Sequence, residues 1–108
     1  MEVWANCQDK WQTSNNLNIE AATLHNKAEE LWRVGDTEHD ESIIKSGNKY
    51  WHKSNNLYRE AKKLEKEADA DWQVAVRKVY GDSIEIEWVE FGGYDCSLSN
   101  GEYYYWEV

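Results

Sequence analysis

The strongest constraint on the fold is an internal repeat. Residues 11–32 align without a gap with residues 51–72 and are identical to them at ten of 22 positions, and both copies contain the motif Ser-Asn-Asn-Leu. Two copies are too few for a solenoid, which needs at least about three stacked repeats to bury its core. The repeat therefore indicates two similar elements that pack against each other or against a second chain.

Both copies carry apolar or small residues at alternating steps of three and four. Such spacing places a stripe along one side of an α-helix. Because the spacing continues beyond both ends of the repeat, it predicts helices over residues 2–34 and 38–74. The first stripe consists of Trp4, Cys7, Trp11, Ser14, Leu17, Ala21, Leu24, Ala28 and Leu31, and the second of Ile44, Gly47, Trp51, Ser54, Leu57, Ala61, Leu64, Ala68, Trp72 and Ala75.

The predicted break between the helices lies at Gly35. Glycine readily adopts the left-handed conformation that ends many helices, and Thr37 is a suitable N-cap for the next helix. The acids Glu38, Asp40 and Glu41 follow where the helix dipole favours negative charge. A link this short makes the helices antiparallel neighbours, so the sequence predicts a long, coiled-coil-like helical hairpin.

The turn position also predicts which residues face each other. In a hairpin that turns near Gly35, facing residues have numbers that sum to about 71 or 72. This register sets a large residue against each small one, which fills space without voids. Because the two copies are alike, a homodimer or a domain-swapped dimer satisfies the same pattern. The predicted pairs are Trp11 with Ala61, Ala21 with Trp51, Trp4 with Ala68, and Ala28 with Ile44.

The Ser-Asn-Asn motif leaves a second interpretation open. Asn is a weak helix former, so Ser14 or Ser54 could instead cap a shorter helix. The apolar spacing stays in phase upstream of each serine. That continuity favours the two long helices.

The apolar period changes from helical to alternating after residue 73. The alternation and two turn signals, Gly92-Gly93 and Asn100-Gly101, predict an antiparallel β-meander in residues 75–108. Residues 74–80 fit either an extension of the second helix or a first strand. The predicted fold is therefore α+β, with a helical hairpin followed by a sheet of three or four strands in one domain, residues 1–108. The clearest strands are residues 84–91, 94–99 and 102–108.

Two-residue turns would fix which residues share a face of this sheet. One face is expected to pack on the helices, while the other mixes rings with carboxylates and hydroxyls. Since an antiparallel sheet usually leaves one face in water, the second face is a candidate contact surface, although packing on the helices or on another subunit also fits. The first face comprises Val89, Phe91, Tyr94, Cys96, Leu98, Tyr103 and Tyr105, and the second Ile84, Ile86, Trp88, Tyr104, Trp106 and Val108 with Glu90, Asp95, Ser97 and Ser99.

Acidic charge is concentrated in the C-terminal segment. The chain has a net charge of −9 at pH 7, which argues against direct binding of nucleic acid or of an anionic membrane, because both need clustered basic residues. Residues 73–108 alone carry a net charge of −5, while residues 51–72 are balanced. An acidic surface of this kind attracts basic protein partners.

No residue pattern predicts an active site or a cofactor. Cys7 lies in the helical stripe, Cys96 lies in a strand without a neighbouring His, and phosphate-loop and Cys-x-x-Cys motifs are absent. Helix capping explains the acidic cluster around His39 better than metal binding does. Two isolated cysteines, with no signal-peptide or membrane-span pattern, favour a reduced cytoplasmic protein without catalytic residues, metal or cofactor.

The leading functional prediction is a non-enzymatic, acidic protein-binding module. In charge and size the chain resembles the small inhibitors of viruses and mobile elements that imitate DNA, and this compositional resemblance implies a basic nucleic-acid-processing protein as partner. The alternatives are a self-assembling coiled-coil protein and an aromatic sheet, with Trp88, Tyr104 and Trp106, on which a flat ligand such as a sugar stacks. Predicted partner-binding residues are Glu85, Glu87, Trp88, Glu90, Asp95, Tyr104 and Trp106, and predicted helix-packing residues are Trp4, Trp11, Ala21, Ala28, Ile44, Trp51, Ala61 and Ala68.

Overall fold

A computed structural model of the chain describes residues 2–90 and 93–107, and the side chains of residues 89, 90, 93, 94, 106 and 107 lie outside that description. The predicted α+β fold is confirmed, with two long helices followed by a three-stranded antiparallel sheet of order β1-β2-β3. The elements are α1 (Glu2–Glu38), α2 (Glu41–Tyr80), β1 (Ile86–Glu90), β2 (Gly93–Leu98) and β3 (Tyr103–Glu107).

Both helices are longer than the sequence predicts. Helix α1 continues to Glu38 rather than ending at residue 34, and α2 ends at Tyr80 rather than at residue 74. Residues 75–80 are therefore helical and not part of a β-meander. Of the two possibilities for this segment, the extension of the second helix is confirmed.

The turn between the helices is built by His39 and Asp40. His39 has a φ of 53°, in the left-handed region. Asp40 is the N-cap of α2, because its Oδ1 accepts hydrogen bonds from the backbone N–H (2.9 Å) and the hydroxyl (2.7 Å) of Ser42. These bonds to Ser42 hold the pKa of the Asp40 carboxyl below its usual value. Thr37, the predicted cap, instead donates its hydroxyl to the carbonyl oxygen of Arg33 within α1.

Gly35 is a packing residue inside α1, so its predicted role in ending the helix is wrong. A Cβ atom at Gly35 would lie 2.7 Å from Cγ1 of Ile44 and 3.2 Å from the carbonyl oxygen of Asp40. The missing side chain lets the start of α2 approach α1 closely. The prediction explained Gly35 by its backbone conformation, whereas the fold needs glycine there because of its small size.

The chain forms two compact units. One contains residues 1–12 and 66–108, and the other contains residues 13–65. Both helices run through both units, so each unit holds one segment of α1 and one of α2. The single domain of residues 1–108 stays a prediction.

In the unit of residues 13–65, the helices meet along a seam of small residues. Ser14 donates its hydroxyl to the carbonyl oxygen of Ala61, and Ser54 donates to that of Ala21, both at 2.7 Å. These bonds require the two backbones to lie within reach of a serine side chain, the shortest hydroxyl-bearing one. Every buried residue of this unit is small, namely Ser14, Ala21, Ala28, Gly35, Gly47, Ser54 and Ala61.

The predicted helix register is wrong. It placed Trp51 against Ala21, whereas the hydrogen bonds join small residues, with Ser54 against Ala21 and Ser14 against Ala61. The difference is about one helical turn, because α1 and α2 meet at a turn further along the chain than predicted. The large residues Trp51 and Ile44 consequently remain half-buried.

The Ser-Asn-Asn motifs lie inside continuous helices, so their interpretation as helix caps is wrong. Ser14 and Ser54 instead donate across the seam. The second Asn of each motif, Asn16 and Asn56, is exposed. The repeated motif thus places a seam serine beside a polar outer surface.

The unit of residues 1–12 and 66–108 has an aromatic core. Trp11 and Trp72 are fully buried, and Trp4 lies edge-on to both, at ring-centroid distances of 5.0 and 4.7 Å. The indole N–H groups of the two fully buried rings have acceptors, as buried Trp usually does: Trp11 donates to Oδ1 of Asp69 (2.9 Å) and Trp72 to the sulfur of Cys96 (3.1 Å). Further buried core residues are Cys7, Ala68, Val76, Ile84 and Leu98.

The sheet departs from the predicted register at both turns. Glu90 pairs with Tyr94, and Ser97 pairs with Tyr103, so each connection has three residues, one more than the prediction requires. Gly101, with a φ of 93°, closes a three-residue loop in which Leu98 and Glu102 are hydrogen-bonded, a loop that typically has glycine in this conformation. Gly92 of the first predicted turn lies outside the described residues, as do Phe91 and Val108.

A register shift of one residue moves every side chain of a strand to the other face of the sheet. With one such shift at each turn, only the side chains of β2 have exchanged faces relative to the prediction. Trp88, Cys96 and Tyr104 lie opposite one another across the three strands and share a face. The prediction had placed Cys96 on the other face. Tyr103 and Tyr105, expected to pack on the helices, are instead exposed.

The variant Gly47→Ala tests the close approach at the seam. A Cβ at this position would lie 2.6 Å from Cδ1 of Trp32 and 3.1 Å from the carbonyl oxygen of Ala28. Alanine favours a helix by about 1 kcal/mol over glycine, but overpacking costs about 1–3 kcal/mol. We expect the free energy of unfolding, measured by urea denaturation, to fall by about 1–2 kcal/mol.

Asn56→Ala is the matched control, since Asn56 is exposed on the same helix. It gains only helix propensity and should stabilise the protein by no more than about 0.7 kcal/mol. If Gly47→Ala proves at least as stable as the parent protein, the helices do not approach as closely as described.

Candidate binding surface

The predicted partner-binding residues are divided between the two faces of the sheet. Trp88 and Tyr104 lie on the face that packs on the core, whereas Glu87 and Asp95 lie on the opposite face. Glu85 precedes β1 and is exposed. The side chains of two further candidates, Glu90 and Trp106, lie outside the part of the chain that the structure describes.

Trp88 and Tyr104 make the contacts of core residues. Trp88 lies edge-on to Trp11, with ring centroids 5.6 Å apart. Tyr104 lies 5.4 Å from Trp4 and 4.8 Å from Trp72. For these two rings, the interpretation that their face packs on the helices is confirmed.

The Tyr104 hydroxyl completes this packing with a polar contact. It lies 3.2 Å from the hydroxyl of Tyr80, the last residue of α2. This hydrogen bond, together with burial, raises the pKa of Tyr104 to about 12. The contact joins β3 to the end of α2, a structural role for a residue expected to meet a ligand.

The opposite face, here called the outer face, has five described side chains: Glu87, Asp95, Ser97, Tyr103 and Tyr105. Glu87, Ser97 and Tyr103 align across the three strands, and Asp95 aligns with Tyr105. Tyr103 and Tyr105 are 56% and 50% exposed. Exposed tyrosines supply large contact area at low entropic cost and are enriched at protein interfaces.

Asp95 is the unusual residue of the outer face. Only 8% of it is exposed, and its Oδ1 has no hydrogen-bond partner among the described residues. A hydrogen bond to its carboxylate raises the pKa of the Tyr103 hydroxyl. A buried oxygen left without a donor costs about 1–3 kcal/mol. A cationic donor would gain by bonding to it once the neighbouring side chains move to open it, because the oxygen itself is not accessible.

A cleft of about 330 Å³ lies beside these residues at the β1–β2 edge. The Glu85 N–H donates to the Ser99 hydroxyl, and the Ser99 N–H donates to the Glu85 carbonyl oxygen, both at 3.0 Å. Carboxylates and hydroxyls together accept the N–H donors of lysine and arginine. The cleft is lined by Glu85, Ile86, Glu87, Ser97, Leu98 and Ser99.

The cysteines are placed as packing residues. Both are free and buried. Burial raises the pKa of the Cys7 thiol to about 11, with a smaller contribution from Asp71, and burial also raises the pKa of Cys96. Since the thiolate is the nucleophile, neither thiol is activated at neutral pH.

The described residues contain neither a metal-binding cluster nor a membrane-spanning helix. No group of three or more His, Cys, Asp or Glu side chains there is arranged to hold a metal ion. Within the same residues, no helix has the length and apolar character needed to cross a membrane.

Comparison with known proteins adds no relative. No protein-family model matches the chain, and neither the curated proteins nor the solved structures compared with it give a match. The resemblance to DNA-imitating inhibitors therefore remains one of charge and size.

Sequence reasoning missed Tyr103 and Tyr105 as surface residues. Asn100-Gly101 was interpreted as a two-residue turn, but glycine at the end of a three-residue loop gives the same dipeptide. Residues 103–106 are all aromatic, so the sequence has no apolar–polar alternation there that could show which of these rings face the core. Cys96 could have indicated which face of β2 is buried, since Cys is among the residue types most often found in the core.

Truncating one ring from each face separates core from surface. We expect Trp88→Ala to lower the free energy of unfolding by about 3 kcal/mol, because it leaves a cavity beside Trp11. Tyr105→Ala, its control on the outer face, should change it by less than about 1 kcal/mol. Urea denaturation measures both, and a larger loss from Tyr105→Ala would reverse the assignment of the two faces.

Proposed function

We propose that this protein is a non-enzymatic binding module whose outer face receives a basic segment of another protein. The observation that supports this function best is the buried carboxylate of Asp95, one oxygen of which has no hydrogen-bond partner in the part of the chain that the structure describes, beside two exposed tyrosines. Glu85 and Glu87 add exposed carboxylates along the neighbouring cleft. An interface built in this way combines aromatic contact area with a charged anchor.

Arginine suits this surface better than lysine. Its planar guanidinium offers five N–H donors, binds carboxylates in bidentate fashion and stacks on aromatic faces. Tyr103 and Tyr105 provide such faces on the same side of the sheet as Asp95. A lysine ammonium satisfies the charge but gains less from the rings.

The sharpest form of the proposal is an inhibitor that occupies the basic groove of a nucleic-acid-processing protein. The chain's net charge of −9 and the concentration of acidic residues after residue 73 support it. Long-range attraction between opposite charges accelerates such an encounter and weakens it as salt is added. The ligand-binding aromatic sheet is less favoured, because Trp88 and Tyr104 make core contacts.

A labelled nine-residue oligoarginine peptide tests the outer face directly. We expect fluorescence anisotropy to show binding that weakens at least about 10-fold between low and high salt, because the contacts are between charges. Asp95→Asn, which preserves shape, combined with Glu87→Gln should weaken binding about 10-fold further at low salt. Tyr103→Ala should weaken the binding of arginine peptides more than that of lysine peptides of the same length.

Glu29→Gln with Glu30→Gln is the control, since it removes the same charge from an exposed part of α1. This pair should change the dissociation constant by less than about 2-fold. Equal binding at low and high salt, or equal losses in the two double variants, would reject the outer face as the binding surface.

A further inference from the structure

We propose that the protein forms a homodimer through a leucine-rich face of the unit of residues 13–65. This inference does not depend on the proposed function, because it uses no residue of the outer face. Its starting point is the seam, where each buried position is small and the larger apolar side chains remain half-buried. The face, here called the Leu face, consists of Leu17, Leu24, Leu31, Tyr50, Leu57 and Leu64.

The seam fixes which residues belong to this face. Seam residues recur at every seventh position in both helices, and the residues three positions after them lie to one side of the seam. In an antiparallel pair, positions with the same offset on the two helices lie on the same face. The contact of the Lys27 ammonium with the Tyr50 ring, 4.9 Å from its centroid, is on this side.

The opposite side of the seam is more polar, and its side chains contact one another within the chain. There the residues lie four positions after the seam residues, and Trp51 stacks on His25 and Trp32, at 3.8 and 5.0 Å between ring centroids. The Trp32 indole donates to Oδ1 of Asn48 at 2.9 Å. The Leu face has five leucines and one tyrosine, so it gains more from being covered.

The small seam explains why the Leu face needs a partner. Two helices joined by Ala, Gly and Ser bury little apolar area, and small units of this kind usually depend on oligomerisation or another source of stability. Each of the five leucines is half-buried within its own chain. A partner that covers the face would bury the remainder of every one of them.

Charge placement selects a second copy as that partner. Glu20 and Lys53 each precede a seam residue, and these seam residues, Ala21 and Ser54, contact each other. Glu20 and Lys53 therefore lie at the same level, one on each helix, and both are exposed. A two-fold axis parallel to the helices places α1 over α2 of the second copy and brings each Glu20 beside a Lys53.

The same symmetry makes no like-charge contact at the adjoining levels. Glu60 meets Thr13 of the second copy, and Lys27 meets Ser46. The other two-fold arrangement, with α1 over α1 and centred on this level, would set Glu20 against Glu20 and Lys53 against Lys53. Of the arrangements with Glu20 at this level, the geometry points to the four-helix one in which α1 and α2 of different copies are antiparallel. An α1-over-α1 pair centred between Glu20 and Lys27 would instead join those two residues, and in it Lys53→Glu would leave the dissociation constant unchanged.

Charge reversal tests this arrangement without altering the seam. The dimer dissociation constant, measured by analytical ultracentrifugation of the full chain at low salt, should rise at least about 10-fold for Glu20→Lys and for Lys53→Glu. The double variant should return to within about 3-fold of the parent protein, because the opposite charges meet again. Glu30→Lys with Lys63→Glu, both exposed away from the Leu face, is the control.

A second pair of variants tests the apolar contact. Leu24→Glu should abolish the dimer, while Ile19→Glu should leave it intact, since Ile19 is 65% exposed and lies off the Leu face. Circular dichroism checks that each variant stays helical. A monomeric parent protein up to about 1 mM, a failed rescue by the double reversal, or a dimer indifferent to Leu24→Glu would overturn the proposal.

Discussion

The rest of the fold depends on a hydrogen bond between a serine hydroxyl on one helix and a backbone carbonyl on the other. Ser14 and Ser54 make this bond in both directions, along a seam where every buried residue is Gly, Ala or Ser. A seam this close leaves no room for leucine or tryptophan between the backbones. The larger residues are therefore displaced to the two sides.

What covers the displaced residues then differs along the chain. In the unit of residues 1–12 and 66–108, the sheet contributes Trp88, Cys96 and Tyr104 to a core around Trp11 and Trp72. In the unit of residues 13–65, the residues of the Leu face stay half-buried, which leads to the proposed homodimer. The outer face of the sheet is left for the proposed basic partner.

The elements could be predicted from the sequence, but their register could not. Spacing of three and four located both helices, and it cannot show whether a small residue faces a large one or another small one. That depended on the turn, where His39 rather than Gly35 adopts the left-handed conformation. The register of the sheet could not be predicted either, since Asn100-Gly101 permits two loop lengths. The longer loop changes which side chains of β2 share a face with those of β3. Asp95 was predicted as a contact residue because of its charge, but its burial could be seen only in the folded structure.

Disulfide formation between paired cysteine substitutions tests the seam most directly. Ala21→Cys with Ser54→Cys should close an intramolecular disulfide under mild oxidation, because the 2.7 Å hydrogen bond from Ser54 to the Ala21 carbonyl oxygen brings these two positions together, and a disulfide needs a Cα separation of about 4.4–6.8 Å. Ala21→Cys with Trp51→Cys, the pair of the large-against-small register, should remain reduced. Mass spectrometry of the digested protein distinguishes these products from the buried native thiols. A disulfide in the second pair and not in the first would contradict the small-residue seam.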